Sequence, residues 1–162
     1  MHRVTNTHQP PHARSTQNPR ITIKHFRKRH TQRLLYAAAT LSLIAALIHI
    51  WVMPEHAAEW WGYGLFFLTA AIGQALYSIA VLCTPRRSIV LLGIVGNLAI
   101  IALYLVTRTV GIPFFGPNAG EREAVGPLDL GSKVIELALV VVLLVVLKAR
   151  AEIQQLGMRS TG

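Results

Sequence analysis

The hydrophobic and polar positions of the chain alternate in long segments rather than residue by residue. Four predominantly apolar stretches cover residues 34–53, 61–83, 89–106 and 130–147, with short polar or glycine- and proline-containing stretches between them. A helix needs about 20 mostly apolar residues to cross roughly 30 Å of hydrocarbon, so each stretch is close to that length. The pattern predicts an all-α fold in which four antiparallel transmembrane helices form a bundle.

The two ends of the chain lack such stretches. Residues 1–33 are rich in polar and basic side chains and are predicted to form a disordered basic tail, because such a segment cannot bury enough apolar surface to fold alone. Residues 34–147 form the predicted membrane domain, and residues 148–162 a second short tail. Pro54 directly follows the first stretch, where it either ends that helix or begins the next one.

The connection between the third and fourth stretches is the longest of the three. It runs from Thr107 to about Asp129 and contains many glycines and prolines, which interrupt helices and strands. Connections longer than about 15 residues without secondary structure are usually functional or disordered. Phe114 and Phe115 in its middle suggest that the loop packs over the helix ends as a lid.

The positive charge of the chain is unevenly distributed along the sequence. The net charge is +9, yet eight of the 16 Lys and Arg residues precede Pro54 and no acidic residue does. With the N-terminus inside, the inner segments hold 13 basic residues and the outer segments hold three. Cytoplasmic loops carry such an excess, so we expect a plasma-membrane protein with both termini cytoplasmic. Its partners are then membrane lipids, with a homo-oligomer or a membrane-protein partner as candidates, and nucleic acid is excluded.

Polar residues within the apolar stretches are the most informative positions, because unpaired polar groups are costly in hydrocarbon. The second stretch carries a stripe from His56 to Tyr77, provided that its helix begins near Pro54. Gln74 and Asn97 fall near mid-membrane and are expected to bond to each other. The predicted polar network comprises Gln74, Asn97, Tyr104, Arg108, Asp129 and Lys133.

His49 and Glu136 lie at comparable depths near the outer face, which leaves three interpretations of this cluster open. In the first, they form a structural network with Lys133 and Arg108. In the second, His49, His56, Glu59 and Glu136 bind a divalent transition metal, with Asp129 in reserve, since imidazole and carboxylate suit such ions. In the third, Glu136 is the titrating group of a proton- or ion-coupled transporter acting as an oligomer.

Several activities lack their sequence signature. Cys83 is the only cysteine, so the chain has neither an intrachain disulfide nor a Cys-x-x-Cys redox pair. One histidine within the apolar stretches is too few for paired haem ligation. No phosphate-binding glycine loop or nucleophile elbow occurs, and no catalytic residues are identified. We therefore expect a non-enzymatic protein with an outward-facing polar site, with a membrane scaffold or assembly subunit as the alternative.

Three segments carry a resemblance to a protein family. They read HIWVMPEHAAEWWGYGLFF from His49 to Phe67, TRTVGIPFFGP from Thr107 to Pro117, and EAVGPLD from Glu123 to Asp129. Together with Glu136, they resemble small four-helix integral membrane proteins of bacteria whose activity is not known. The resemblance covers about residues 34–147 and implies that the outer side carries the shared features.

Overall fold

The computed structural model describes residues 19–114 and 116–158, and side chains from residue 29 to residue 155 apart from residue 115. Within this part of the chain there are four α-helices: α1 (Pro19–Glu59), α2 (Trp61–Cys83), α3 (Arg87–Thr109) and α4 (Pro127–Met158). Each is long and apolar enough to cross a membrane. The all-α four-helix fold predicted from the apolar stretches is confirmed, and its architecture is that of a multi-pass membrane protein.

Helix α1 is longer at both ends than its apolar stretch. It begins at Pro19, so residues 19–33, which we expected to be disordered, are helical. Proline suits a first helical turn because its missing N–H would have no partner there. Residues 1–18 of the predicted tail lie outside the described residues. At the other end α1 continues through Pro54 to Glu59, so this proline neither ends one helix nor begins the next.

The connection between α1 and α2 consists of Trp60 alone, which has an extended backbone. A Cβ added to Gly64 would lie 2.4 Å from the Cβ of Ala57, so glycine is needed where the two helices meet. This junction corrects the predicted stripe: His56 belongs to α1, and the polar face of α2 begins after Trp60. The His56 ring still contacts α2, because its centroid lies 4.2 Å from that of Phe67.

The helices pack in the order α2, α1, α4 and α3, with α1 against α2 and α4, and α3 against α4. Helices α2 and α3 contact each other only weakly. We call the end with the Trp60 junction and residues 110–126 the long-loop end, and the end with the Thr84–Arg86 turn the short-turn end. An apolar core fills the half next to the short-turn end and comprises Leu35, Ala38, Ala39, Val81, Val90, Ile94, Leu139, Val140, Leu143 and Val146.

Residues 110–126, the long loop, are tied to the helices. Gly111 N–H donates to Val106 at 3.0 Å, and Glu123 N–H donates to the Thr107 carbonyl at 3.2 Å. Gly111 has φ +76°, and a Cβ there would lie 2.6 Å from the Glu121 carbonyl oxygen. This position therefore requires glycine for both its conformation and its close backbone contact. The loop contacts the helix ends, but the Phe114 side chain from which a lid was predicted is 86% exposed, and Phe115 lies outside the described residues.

Candidate functional site

His49 is buried in the half of the bundle next to the long-loop end, with 2% of its surface exposed. Its Nδ1 lies 2.8 Å from the carbonyl oxygen of Ala45, one turn earlier in α1. A carbonyl oxygen only accepts, so Nδ1 carries a proton and donates it. The other ring nitrogen, Nε2, lies 3.5 Å from Oε1 of Glu136 on α4. The helix backbone thus orients the imidazole toward the carboxylate, as a hydrogen bond to one ring nitrogen fixes the role of the other.

Glu136 is fully buried and lies between two basic groups. Its Oε2 accepts a hydrogen bond from Lys133 Nζ at 2.6 Å, across one turn of α4. Its Oε1 faces His49 and has no hydrogen-bond partner among the described residues. A buried charge needs a partner, and Lys133 supplies one here. The structure therefore brings together the three residues His49, Lys133 and Glu136, which we call the buried triad.

A second polar group lies deeper in the bundle. Gln74 Nε2 donates to Asn97 Oδ1 at 3.4 Å, and Asn97 Nδ2 donates to the Gly93 carbonyl at 2.8 Å. The Ser42 hydroxyl donates to the backbone carbonyl of Gln74 at 2.7 Å. These bonds link α1, α2 and α3, and they pair the two side chains that the sequence placed at mid-membrane. The group occupies the boundary between the buried triad and the apolar core.

Arg108, in the last turn of α3, joins the helices to the long loop. Its guanidinium donates to Glu123 in the loop and, at 2.7 Å, to Oδ2 of Asp129 in the first turn of α4. Asp129 Oδ2 also accepts the Gly126 N–H at 3.3 Å, at the N-terminus of α4, where a carboxylate is favoured. The Tyr104 ring lies beneath two cations, 4.9 Å from Arg108 Cζ and 5.6 Å from Lys133 Nζ.

A cavity of about 510 Å³ lies between these groups and the long loop. Helices α2 and α3 supply most of its apolar wall, through Phe66, Phe67, Ile100 and Leu103. Its polar lining includes His49, His56, Tyr104, Arg108, Asp129 and Lys133. Binding pockets for drug-sized molecules measure about 300–1,000 Å³ and are mostly apolar with a few convergent polar groups. The cavity has that size and that composition.

The residues suggested as metal ligands are only partly brought together. His49 and Glu136 face each other, whereas His56 Nδ1 donates to the Val52 carbonyl at 3.0 Å and its ring packs on Phe67. Glu59 is exposed at the end of α1. Among the described residues, no three His, Cys, Asp or Glu side chains are grouped so that they could hold a metal ion. The four-residue metal site stays a prediction. The structure shows one part of it, the pairing of His49 with Glu136.

The structure adds residues that the sequence analysis did not single out. Glu123 pairs with Arg108, and Leu103 and Phe66 line the cavity. Phe67, which belongs to the predicted stripe, packs against both histidines. A signal for Glu123 exists in the sequence, because Arg108 ends an apolar stretch and carboxylates follow it in the loop. The cavity wall has no such signal, since Phe66 and Leu103 resemble any other apolar residue of a membrane helix.

Comparison of the chain with protein-family models, with curated proteins and with solved structures finds no significant match.

Proposed function

We propose that this chain is a multi-pass protein of the plasma membrane, with both termini cytoplasmic, that binds a small molecule in the cavity beneath its long loop. The long-loop end then faces outward. The observation that carries the proposal is the cavity of about 510 Å³, with apolar walls from α2 and α3 and ionisable groups at one side. A binding function needs both features, whereas a purely structural network needs only the ion pairs.

The arrangement of the polar groups favours binding over transport through a single chain. The buried triad adjoins the cavity, and the pair Gln74–Asn97 extends the polar region to the middle of the bundle. Beyond that pair, the half next to the short-turn end is filled by the apolar core. An ion pathway requires polar groups or water along its whole length, because an unpaired charge in an apolar environment is costly. On the short-turn side of that pair, the Ser78 hydroxyl donates within its own helix and the buried Tyr77 hydroxyl has no partner among the described residues, so neither extends the polar network.

The scaffold alternative accounts for the ion pairs of Arg108 and Lys133 but not for the open volume beside them. Protein interiors are closely packed, so a cavity of about 510 Å³ beside the ion pairs is a feature that a scaffold role does not require. The metal alternative shares His49 and Glu136 with the proposal. Elemental analysis of untagged protein, wild type against a double His49→Ala, Glu136→Ala variant, tests it separately.

The experiment that tests binding compares small molecules retained by purified protein. Wild type, Leu103→Trp and Leu98→Trp are purified in mild detergent, extracted and analysed by mass spectrometry. Leu103 lines the cavity, whereas Leu98 lies on the same helix, is 46% exposed and does not line it. We expect a molecule retained by wild type and by Leu98→Trp to be lost from Leu103→Trp. The same retained molecules in all three proteins would contradict the proposal.

A further inference from the structure

The long loop covers the cavity in part, and the weakest helix contact of the bundle bounds it laterally. Above it, the long loop is fixed by the hydrogen bond from Glu123 to Thr107 and by the pairing of Arg108 with Glu123. Gly116 of the loop lies directly against the Tyr63 ring, so closely that a Cβ would overlap it. At the side, α2 and α3 make few contacts with each other, and both line the cavity. The weak contact between α2 and α3 therefore offers an entrance from the bilayer.

An entrance between two membrane helices selects molecules that dissolve in the bilayer. The wall next to it is formed by Phe66 and Phe67 on α2 and by Ile100 and Leu103 on α3. Such a wall favours an alkyl chain or another apolar group, because burial of apolar surface is favourable roughly in proportion to its area. The ligand class indicated by the route and by the wall is an amphiphile.

The charges around the cavity indicate the nature of its polar end. Arg108 is paired with Asp129, and Lys133 with Glu136, so each of these cations has its counter-charge. Glu123 is a second carboxylate at Arg108, and its side chain is 38% exposed, so water screens its charge. Glu121 also lines the cavity but is exposed, so water screens its charge. A charged ligand head would have to leave water without a free partner, which is costly. A neutral head avoids that cost.

Two residues of the cavity lining each carry a buried polar atom that lacks a partner among the described residues, which suits a neutral head. The Tyr104 hydroxyl and Arg108 Nε are buried, and neither has a hydrogen-bond partner among the described residues. The Arg108 side chain is only 10% exposed, so solvent does not readily satisfy it. Buried polar groups are nearly always hydrogen-bonded, and a carbonyl or hydroxyl oxygen can accept from both atoms.

From these observations, and resting on the proposed function, we infer that the cavity binds a neutral amphiphile from the outer leaflet, with its carbonyl or hydroxyl head at Tyr104 and Arg108. The apolar part of the ligand lies against Phe66, Phe67, Ile100 and Leu103. The buried triad lies behind the head. Within it, the Glu136 carboxylate holds Lys133 and His49 in place.

Photo-crosslinking in nanodiscs tests this inference. Three diazirine probes with the same 18-carbon chain are compared at equal mole fraction: a monoacylglycerol, a fatty acid and an alkylamine. We expect the monoacylglycerol to label residues 63–67 and 100–107 at least about tenfold more than either charged probe, since an unpaired charge is costly to bury. When lipid is added at a fixed total amount of probe, labelling should fall, because the occupancy of the cavity follows the mole fraction of probe in the bilayer.

Variants make the test specific for the cavity. Leu103→Trp should abolish the selective labelling and Leu98→Trp should retain it, with Ile100→Phe replacing Leu103→Trp if that variant does not fold. Tyr104→Phe should weaken monoacylglycerol labelling roughly fivefold, the effect of one lost hydrogen bond.

Equal labelling by the three probes, or stronger labelling by a charged one, would overturn the inference. If Leu103→Trp instead loses a retained water-soluble molecule, the proposed function stands and this inference fails; if nothing is retained and no probe is selective, both fail.

Discussion

At the scale of single residues, Glu136 is a buried carboxylate that faces two basic groups. It is completely buried, it contacts the Lys133 ammonium at 2.6 Å, and it faces the His49 imidazole at 3.5 Å. Lys133 keeps 13% of its side chain exposed toward the cavity. The carboxylate therefore balances a cation that cannot become fully hydrated where it lies. The energetic role of Glu136 is to neutralise Lys133 rather than to add a strong independent bond.

This role predicts a non-additive effect of two substitutions. Glu136→Leu should lower the free energy of unfolding by about 3 kcal/mol, because removing one partner leaves the Lys133 charge buried and unpaired. Adding Lys133→Met should restore most of that loss, since an apolar pair of similar volume replaces the ion pair. Unfolding is followed by circular dichroism during a titration with dodecyl sulfate in mild detergent. Glu59→Leu, at an exposed position, should change the free energy by less than about 0.5 kcal/mol. A double variant no more stable than Glu136→Leu would contradict this account.

At the scale of helices, the contact between α2 and α3 is set at Gly93. A Cβ at this position would lie 2.1 Å from the Tyr77 hydroxyl oxygen and 2.2 Å from its Cζ, so the aromatic ring occupies the space that other residues need. Gly96, one turn later on α3, has no neighbouring atom within 4 Å of such a Cβ. The same substitution to alanine can thus be made at two glycines of one helix whose surroundings differ.

Gly93→Ala should destabilise the bundle by roughly 1 to 3 kcal/mol, because it forces the Tyr77 ring to move in a packed interior. Gly96→Ala should be neutral or stabilise it by up to about 1 kcal/mol, since alanine favours the helix more than glycine does. The same detergent titration measures both. Equal effects of the two substitutions would show that Tyr77 does not pack against Gly93.

The fold was more predictable from the sequence than the site, for a physical reason. Apolar stretches long enough to cross a membrane identify the helices directly, and α2 matched its predicted bounds of Trp61–Cys83. The continuation of α1 through Pro54 was not predictable, because proline usually ends a helix but is tolerated where neighbouring helices stabilise the turn. The proximity of His49 to Glu136 followed from equal depth. The cavity did not, since it depends on how closely α2 and α3 approach each other.

At the scale of the whole molecule, polarity is divided between the two halves of the bundle. The half next to the long loop contains the cavity, the buried triad and Arg108, whereas the half next to the short turn contains the apolar core. Under the proposed function, the ligand enters a molecule divided in this way from the half that contains the cavity. Which side of the membrane that half faces depends on orientation, and the basic residues of the sequence predict it: the short-turn end carries Arg86 and Arg87 and lies with the basic N-terminal segment.

Orientation is testable because the chain has a single cysteine, Cys83. In a Cys83→Ser background, Ala119→Cys marks the long loop and Thr84→Cys marks the short turn, both at exposed positions. A membrane-impermeant maleimide should label Ala119→Cys in intact cells and Thr84→Cys only after the membrane is opened. The reverse pattern would place the cavity on the cytoplasmic side, and the ligand would then be an inner-leaflet amphiphile. Labelling at both positions in intact cells would indicate a mixed orientation, which 13 basic residues on one side against three on the other should prevent.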